Sequence, residues 1–347
     1  VKMKGWTRAG AFAAAALFCG GQANAQSVAE FYAGKTVTIN VGQQAGTGFD
    51  VYARVLIRHF GRFIPGNPKL VVQNMPGASG INSVNWLYNI APKDGTVIGT
   101  TSQNVPLEPL FGNAKAKFDP TKLIWIGNME SGIAVCGIST KAGVKTFAEL
   151  QKADPPVIFG ATGATGPLKK TANAVKELLG AKIKVVAGYR GSASVKQAME
   201  KGEVFGICGL PWSTIKSFWR SDLETGAFKP IIQLSGPDNP ELGKIPKAQD
   251  FIKTEEQKQL FGLIFGSQVL GRSYMLPPRV PKDRVDALRK AFMDTMKDKQ
   301  FLADAAKAGI DIVPSDGEEV TKLWAEFLAT PKTVADKVKQ ITLPDVK

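Results

Sequence analysis

The sequence predicts an α/β protein of two lobes, each a mixed, mostly parallel sheet flanked by helices. Three observations carry that prediction. Val- and Ile-rich runs alternate with amphipathic stretches, as in "VTINV" before residues 49–60 and "LVVQN" before residues 80–90, the pattern of βα units with parallel strands. The alternation begins afresh near residue 146, with "PVIFGA" and "IKVVAG". The chain of 347 residues is also longer than one hydrophobic core usually organises, even with its first 25 residues removed to leave 322.

That removal is expected because Lys2, Lys4 and Arg8 precede an apolar run from Ala9 to Cys19, followed by Ala23-Asn24-Ala25. A basic start, a short apolar core and an A-x-A site read as a secretory signal peptide cut after Ala25, which places the mature protein in the periplasm. The run is too short to span a bilayer as an anchor. Bulky Phe18 before Cys19 argues against lipidation.

The first lobe is predicted from residues 26–130 and 264–347. It starts with a strand over 37–41, a glycine-rich turn and a helix over 49–60. A strand over 70–74, the turn "MPGASG", a helix over 80–90, the turn "PKDG" and the strand "TVIGTT" follow. The stretch "IWIGNMESGIAVCGIST" reads as an extended connector to a second lobe over 131–263. There "PVIFGA" enters the turn "TGATGP" and a helix from Leu168 to Leu179, with Pro167 at its first position and Gly180 as its stop. "IKVVAG" enters "YRGSAS" and a helix from Ser192 to Lys201, for which Ser192 is the expected cap and Gly202 the stop. Strands "VFGICG" and "KPIIQLS" complete the lobe, and "GPDNPELGKIP" with "FGLIFGSQVLG" reads as the return crossing. The remainder is expected to be mainly helical, most strongly in "PKDRVDALRKAFMDTMKD".

Net charge is +14, and removing Lys2, Lys4 and Arg8 leaves +11. The excess is mostly lysine interleaved with acids, a solvated-face pattern without the clustered arginines and stacking aromatics of a nucleic-acid surface. Its field still favours the approach of acidic ligands. Cys136 and Cys208 lie in apolar strand-like runs, either as two buried small hydrophobes or as a bridge between neighbouring strands. Free thiols are the expectation, since a chain this long needs no staple.

Two lobes joined by two crossings enclose a cleft, and ligands of open α/β sheets sit beyond the carboxyl ends of the strands. Both predicted lobes place glycine-rich turns there: "GQQAGTGFD" and "MPGASG" in one, "TGATGP" and "YRGSAS" in the other. Glycine allows close backbone approach, and helix starts offer unpaired N–H groups to an anion. Nucleotides fit poorly, because Val51 stands where a dinucleotide turn wants its third glycine and no Lys-Ser or Lys-Thr pair follows for a phosphate loop. Catalytic patterns are missing as well. His59 is the single histidine, expected to be partly buried or on the surface, and no zinc or calcium spacing occurs. "GASG" around Ser79 is not the nucleophile elbow. No cofactor and no metal are expected. Trp86, Trp125, Trp212 and Trp219 are expected in the core, with Trp212 the one best placed near the cleft.

The ordered motifs "AGTGFD", "VVQNMPGASGINSVNWL", "APKDGTVIG", "FGATGATGP", "GYRGSASVKQAMEKGEV" and "LPPRVPKDRVDALRKAF" resemble the periplasmic receptors of tripartite tricarboxylate transporters, the Bug proteins. The resemblance implies a type II periplasmic binding-protein fold (Venus flytrap) that binds a small di-, tri- or aromatic carboxylic acid through backbone amides and hydroxyls. It further implies a monomer that delivers its ligand to integral-membrane transporter subunits and binds no nucleic acid. An exported sensor and an exported enzyme acting on a carboxylate are the alternatives. The site residues implied in the first lobe are Gln44, Gly46, Thr47, Gly48, Phe49, Asp50 and Ser102. In the second they are Thr162, Gly163, Ala164, Thr165, Tyr189, Arg190, Gly191 and Ser192. Thr47 departs from a usual glycine and Phe49 from a usual Thr or Ser, so Phe49 forms either an aromatic wall or part of the core beneath the helix. The family histidine inside the helix is replaced around Lys169. Arg190 is read as a forked carboxylate contact or as a solvent-facing side chain. Asp50 is expected to accept backbone N–H bonds at its helix start, since its charge would repel an acid.

Overall fold

The structure of the protein, a computed structural model, describes residues 1–2, 26–163 and 166–344. The predicted signal peptide thus lies almost wholly outside the described residues, as do Ala164 and Thr165 of the predicted site.

Helix α1 (Val28–Tyr32) starts with a capping box in which Ser27 and Glu30 exchange hydrogen bonds. Strand β1 (Thr36–Val41) leads into α2 (Gly48–Phe60), β2 (Lys69–Asn74), α3 (Ile81–Asn89), β3 (Val97–Thr100) and β4 (Ile124–Asn128). The chain then passes through β5 (Ala134–Ser139), the short α4 (Phe147–Leu150), β6 (Val157–Thr162), α5 (Pro167–Leu179), β7 (Ile183–Tyr189) and α6 (Ser192–Lys201). Strand β8 (Gly206–Pro211), α7 (Trp212–Phe218), α8 (Arg220–Glu224), β9 (Phe228–Gln233) and α9 (Glu255–Phe265) follow. The last stretch holds β10 (Ser273–Leu276), α10 (Lys282–Met296), α11 (Lys299–Lys307), β11 (Ser315–Asp316), α12 (Gly317–Leu328) and α13 (Lys332–Thr342).

Two sheets result, in the orders β11-β4-β10-β3-β1-β2 and β7-β6-β8-β5-β9. In the first, β1 to β4 run one way while β10 and β11 run the other. In the second only β5 is reversed. Both sheets are mixed with most strands codirectional, as the sequence predicts. β5 and β10 are the strands by which the chain enters each sheet after crossing from the other, and both run against their neighbours. The expected single connector over 124–140 is two strands, β4 and β5, in different sheets, so the outward crossing is confined to residues 129–133. The return occupies the 3-10 turn Gly266–Leu270 after α9.

Local sequence sets the helix ends. α5 begins at Pro167, whose missing N–H is no loss there, and stops at Gly180 with φ 70°. Ser192 is the first residue of α6 rather than its cap. Gly191 takes the cap position in extended backbone, so the serine hydroxyl makes no capping bond. Val37, Ile39, Val41, Phe60, Tyr274 and Phe292 are buried in the first-lobe core, with the Phe60 and Phe292 rings edge to face. Each such side chain contributes on the order of 1.5–3 kcal/mol by leaving water. Helix α12 packs on β4, whereas α13 reaches across to α5 and α9, and Asn173 Nδ2 donates to the Thr342 carbonyl at 2.9 Å.

The cysteines correct the sequence expectation. Cys136 on β5 lies opposite Cys208 on the neighbouring antiparallel β8, and the two form a disulfide with S–S 2.04 Å. The bridge between neighbouring strands, the other reading of the sequence, is the one found; the expectation of free thiols failed because chain length says nothing about two cysteines that face each other on adjacent strands. Closing a loop 72 residues apart in sequence restricts the unfolded chain by about 4 kcal/mol in the chain-entropy model.

Candidate functional site

In the first lobe the turns after β1, β2 and β3 are stitched into one rim. Met75 N donates to Val41 O at 2.8 Å, Gly42 N to Thr100 O at 2.9 Å, and Asn74 Nδ2 to Gln43 O at 3.0 Å. Gly80 has φ 103°, and a Cβ there would fall 2.3 Å from Thr101 Oγ1, so only glycine fits. Its neighbours Ala78 and Ser79 also have positive φ, 45° and 57°. Backbone held in this region costs on the order of 1–3 kcal/mol per residue and concentrates where a chain binds something.

Asp50 is buried at the start of α2. Its carboxylate accepts from Gly46 N at 2.8 Å, Arg54 Nε at 2.8 Å and Asn74 Nδ2 at 2.9 Å. Burial pushes this carboxyl up, but the bonds from Arg54, Gly46 and Asn74 outweigh it and hold Asp50 below the usual carboxylate range. The residue ties the Gly46 turn to β2. Thr47 Oγ1 donates to Gln44 O at 2.8 Å, spending its hydroxyl within the same turn. Gln44 and Gly46 are exposed.

In the second lobe, Thr162 at the end of β6 pairs with Tyr189 at the end of β7, which sets the two predicted turns side by side. Gly166 N donates to Gly163 O at 2.8 Å, closing the turn into α5. Thr162 Oγ1 and, in the other lobe, Thr101 Oγ1 are both buried without a hydrogen-bond partner among the described residues. A buried hydroxyl left unpaired is costly, and such groups ordinarily meet a water or a ligand.

Both lobes line one cavity of about 430 Å³. Its first-lobe wall includes Ser79 and Ser102, and its second-lobe wall Pro167, Lys170 and Thr171 at the start of α5. Lys170 Nζ reaches across to Glu108 Oε1 at 3.2 Å. A second space of about 30 Å³ lies between Gly48, Tyr52 and Arg272 on one side and Ser213 and Ser217 on the other. Of the predicted site residues, Ser102 lines the large cavity and Gly48 the small one. Gln44, Gly46, Thr47, Phe49 and Asp50 form the neighbouring turn, while Tyr189 packs on the second-lobe core beside exposed Arg190. Phe49 packs against the first-lobe core with the Arg272 guanidinium 4.3 Å from its ring centre.

Sequence reading missed the charges at the crossings. Arg272 and Glu130 are both buried, with Nε to Oε2 at 3.6 Å. Arg272 also lies 4.8 Å from the Tyr52 ring centre and donates from Nη1 to Gly271 O at 2.8 Å, while Ser213 Oγ of the second lobe donates to Glu130 Oε1 at 2.8 Å. The available signal was a single acid in "IWIGNMESGIAV" and a single arginine in "GSQVLGRSYML". Nearby, Lys216 of α7 bonds Asp311 and Glu241. Burial pushes its ammonium down, but those two carboxylates prevail and hold it above its ordinary value. Trp212, expected near the cleft, is buried and donates from Nε1 to Glu241 Oε2 at 2.7 Å. His59, the single histidine, is buried and bonds Asp304 at 2.9 Å within the first lobe.

Two α/β lobes around a cleft lined by strand-end turns define a two-lobed solute-binding protein. The chain belongs to the tripartite tricarboxylate transporter family of receptors, whose sequence model matches residues 65–340. Proteins of this family are periplasmic receptors, not enzymes. Solved structures agree on the fold. A TctC solute-binding protein from Polaromonas, without ligand, is 19% identical with TM-score 0.67, covering 87% of this chain and 98% of its own. MatC from Rhodopseudomonas palustris, solved with malate, is 15% identical with TM-score 0.64, covering 88% and 98%. Another R. palustris protein, solved with adipate, is 14% identical with TM-score 0.63, covering 89% and 97%.

Proposed function

We propose that this receptor is exported, captures a small carboxylate between its lobes and delivers it to the membrane subunits of a tripartite transporter. The observation that carries this reading is the cavity of about 430 Å³ lined by both lobes, with Ser79 and Ser102 from first-lobe strand-end turns and the first turn of α5 in its walls. Hydroxyls and a helix start suit an acid group, and the positive net charge of the chain draws anions toward it. The malate and adipate held by the two R. palustris proteins are carboxylates of the size this reading requires. No helix among the described residues is long and apolar enough to cross a membrane, in keeping with delivery to separate membrane subunits.

The test is a thermal-shift panel of mono-, di-, tri- and aromatic carboxylic acids on dialysed protein, followed by native mass spectrometry of freshly purified material. At least one acid is expected to raise the melting temperature, by the amount set by its concentration relative to Kd. A panel without a single stabilising acid, on folded and ligand-free protein, overturns the reading.

A further inference from the structure

The cavity is larger and more apolar than the capture of a compact polyacid requires. Ser79 and Ser102 mark one part of its lining. Leu107 and Phe111 from the loop after β3, Leu263 and Ile264 of α9, and Val338 of α13 and Leu343 just past it supply apolar wall, with Asn104, Asn113, Gln268 and Thr342 as polar groups among them. Its volume of about 430 Å³ falls within the ~300–1,000 Å³ of pockets that enclose drug-sized molecules with mostly apolar walls. Two exposed lysines, Lys115 and Lys339, also line it and make no ion pair among the described residues. Glu108, the acid in its wall, is neutralised by Lys170. The lining therefore combines a hydroxyl-bearing part, a hydrocarbon sleeve and an excess of positive charge.

We infer that the ligand is an amphipathic carboxylate: its acid group meets the strand-end hydroxyls, and its hydrocarbon body fills the sleeve between Leu107, Phe111, Leu263, Ile264 and Val338. The inference rests on the receptor function proposed above and narrows it, since compact polycarboxylates such as malate and citrate, with no hydrocarbon body, cannot exploit those walls. The sleeve is assembled by the loop after β3, α9 and α13, elements outside the glycine-rich turns, so the turns would hold the acid group while these elements set the length and bulk accepted.

Isothermal titration of the full chain with butyrate, hexanoate, octanoate, malate and citrate tests this. Kd is expected to fall about fourfold per added methylene through the straight-chain acids, with octanoate tighter than malate and citrate. A flat series, or malate or citrate as the tightest ligand, overturns the sleeve while leaving the receptor function standing. Failure of every acid here together with a blank thermal-shift panel overturns both. Phe111→Ser, in the loop after β3, and Leu343→Ser, just past α13, each alter a half-buried residue of the cavity wall and so supply two independent variants should either fail to fold. Each is expected to weaken octanoate roughly tenfold and to flatten the dependence on chain length. An unchanged slope in a folded variant overturns the assignment.

Discussion

Two stretches of the cleft join the same two lobes by opposite means. Beside the crossings the lobes meet through buried charge: Arg272 lies against Glu130, Glu130 accepts from Ser213 of the other lobe, and only about 30 Å³ is left open. Past the strand-end turns they enclose about 430 Å³ with apolar walls and a single bridge, Lys170 to Glu108, among their described ion pairs across that cavity. A buried pair fixes geometry because separating it strands a charge in low dielectric. An apolar wall tolerates many occupants because dispersion and burial have no preferred direction. The comparison teaches that fixed geometry is concentrated at the pivot and adaptability at the vessel.

Breaking the pivot carries the largest expected effect. Glu130→Leu leaves Arg272 buried without its counter-ion and is expected to cost about 3–5 kcal/mol in urea denaturation. Adding Arg272→Met should recover most of that loss, since an apolar pair of similar volume replaces two buried charges. A single variant that costs below about 1 kcal/mol, or a double variant no better than the single, would show that the pair does not tie the crossings.

Asp50 sharpens the same contrast on the rim, where a buried charge holds a turn instead of two lobes. Asp50→Asn loses charge-assisted bonds from Gly46 and Arg54 and is expected to cost about 1–3 kcal/mol. The sign with pH follows from its lowered folded-state value. The native form is favoured wherever the carboxylate is ionised, so the contribution is complete above the unfolded value near ~3.9 and is lost as pH falls through the lower folded value. Denaturation of wild type and variant should differ by a constant amount near neutrality and converge on strong acidification. Convergence at pH 6 or above would assign the difference to another group.

The βα alternation was legible because Val and Ile runs and helix stops such as Gly180 and Gly202 act locally, within one element. The glycine-rich rim was legible for the same reason: Gly80 must be glycine because of its own φ of 103°. What escaped depends on partners remote in sequence. Cys136 meets Cys208 across 72 residues, and Glu130 and Arg272 meet because both crossings pass the same point. The large cavity escaped too, since its sleeve comes from the loop 105–115, α9 and α13, none of which carries a motif. Ser192 shows the limit at the smallest scale, where one residue of offset moved the cap to Gly191.

The smallest expected change in stability comes from the bridge over the vessel. Glu108 and Lys170 are each partly solvated, with side-chain exposures of 16% and 19%. Such a pair is worth about 0.2–1 kcal/mol, so Glu108→Gln should shift the urea midpoint little. Its effect on binding is expected to run the other way. The substitution removes the negative charge from the cavity wall and leaves the Lys170 ammonium to an incoming acid, which should tighten carboxylate binding about three- to tenfold at low salt. Raising the ionic strength should shrink that gain by screening. Weaker binding of the variant would mean instead that the bridge serves to hold the α5 start against the loop after β3, and that the acid group depends on that spacing more than on the freed charge.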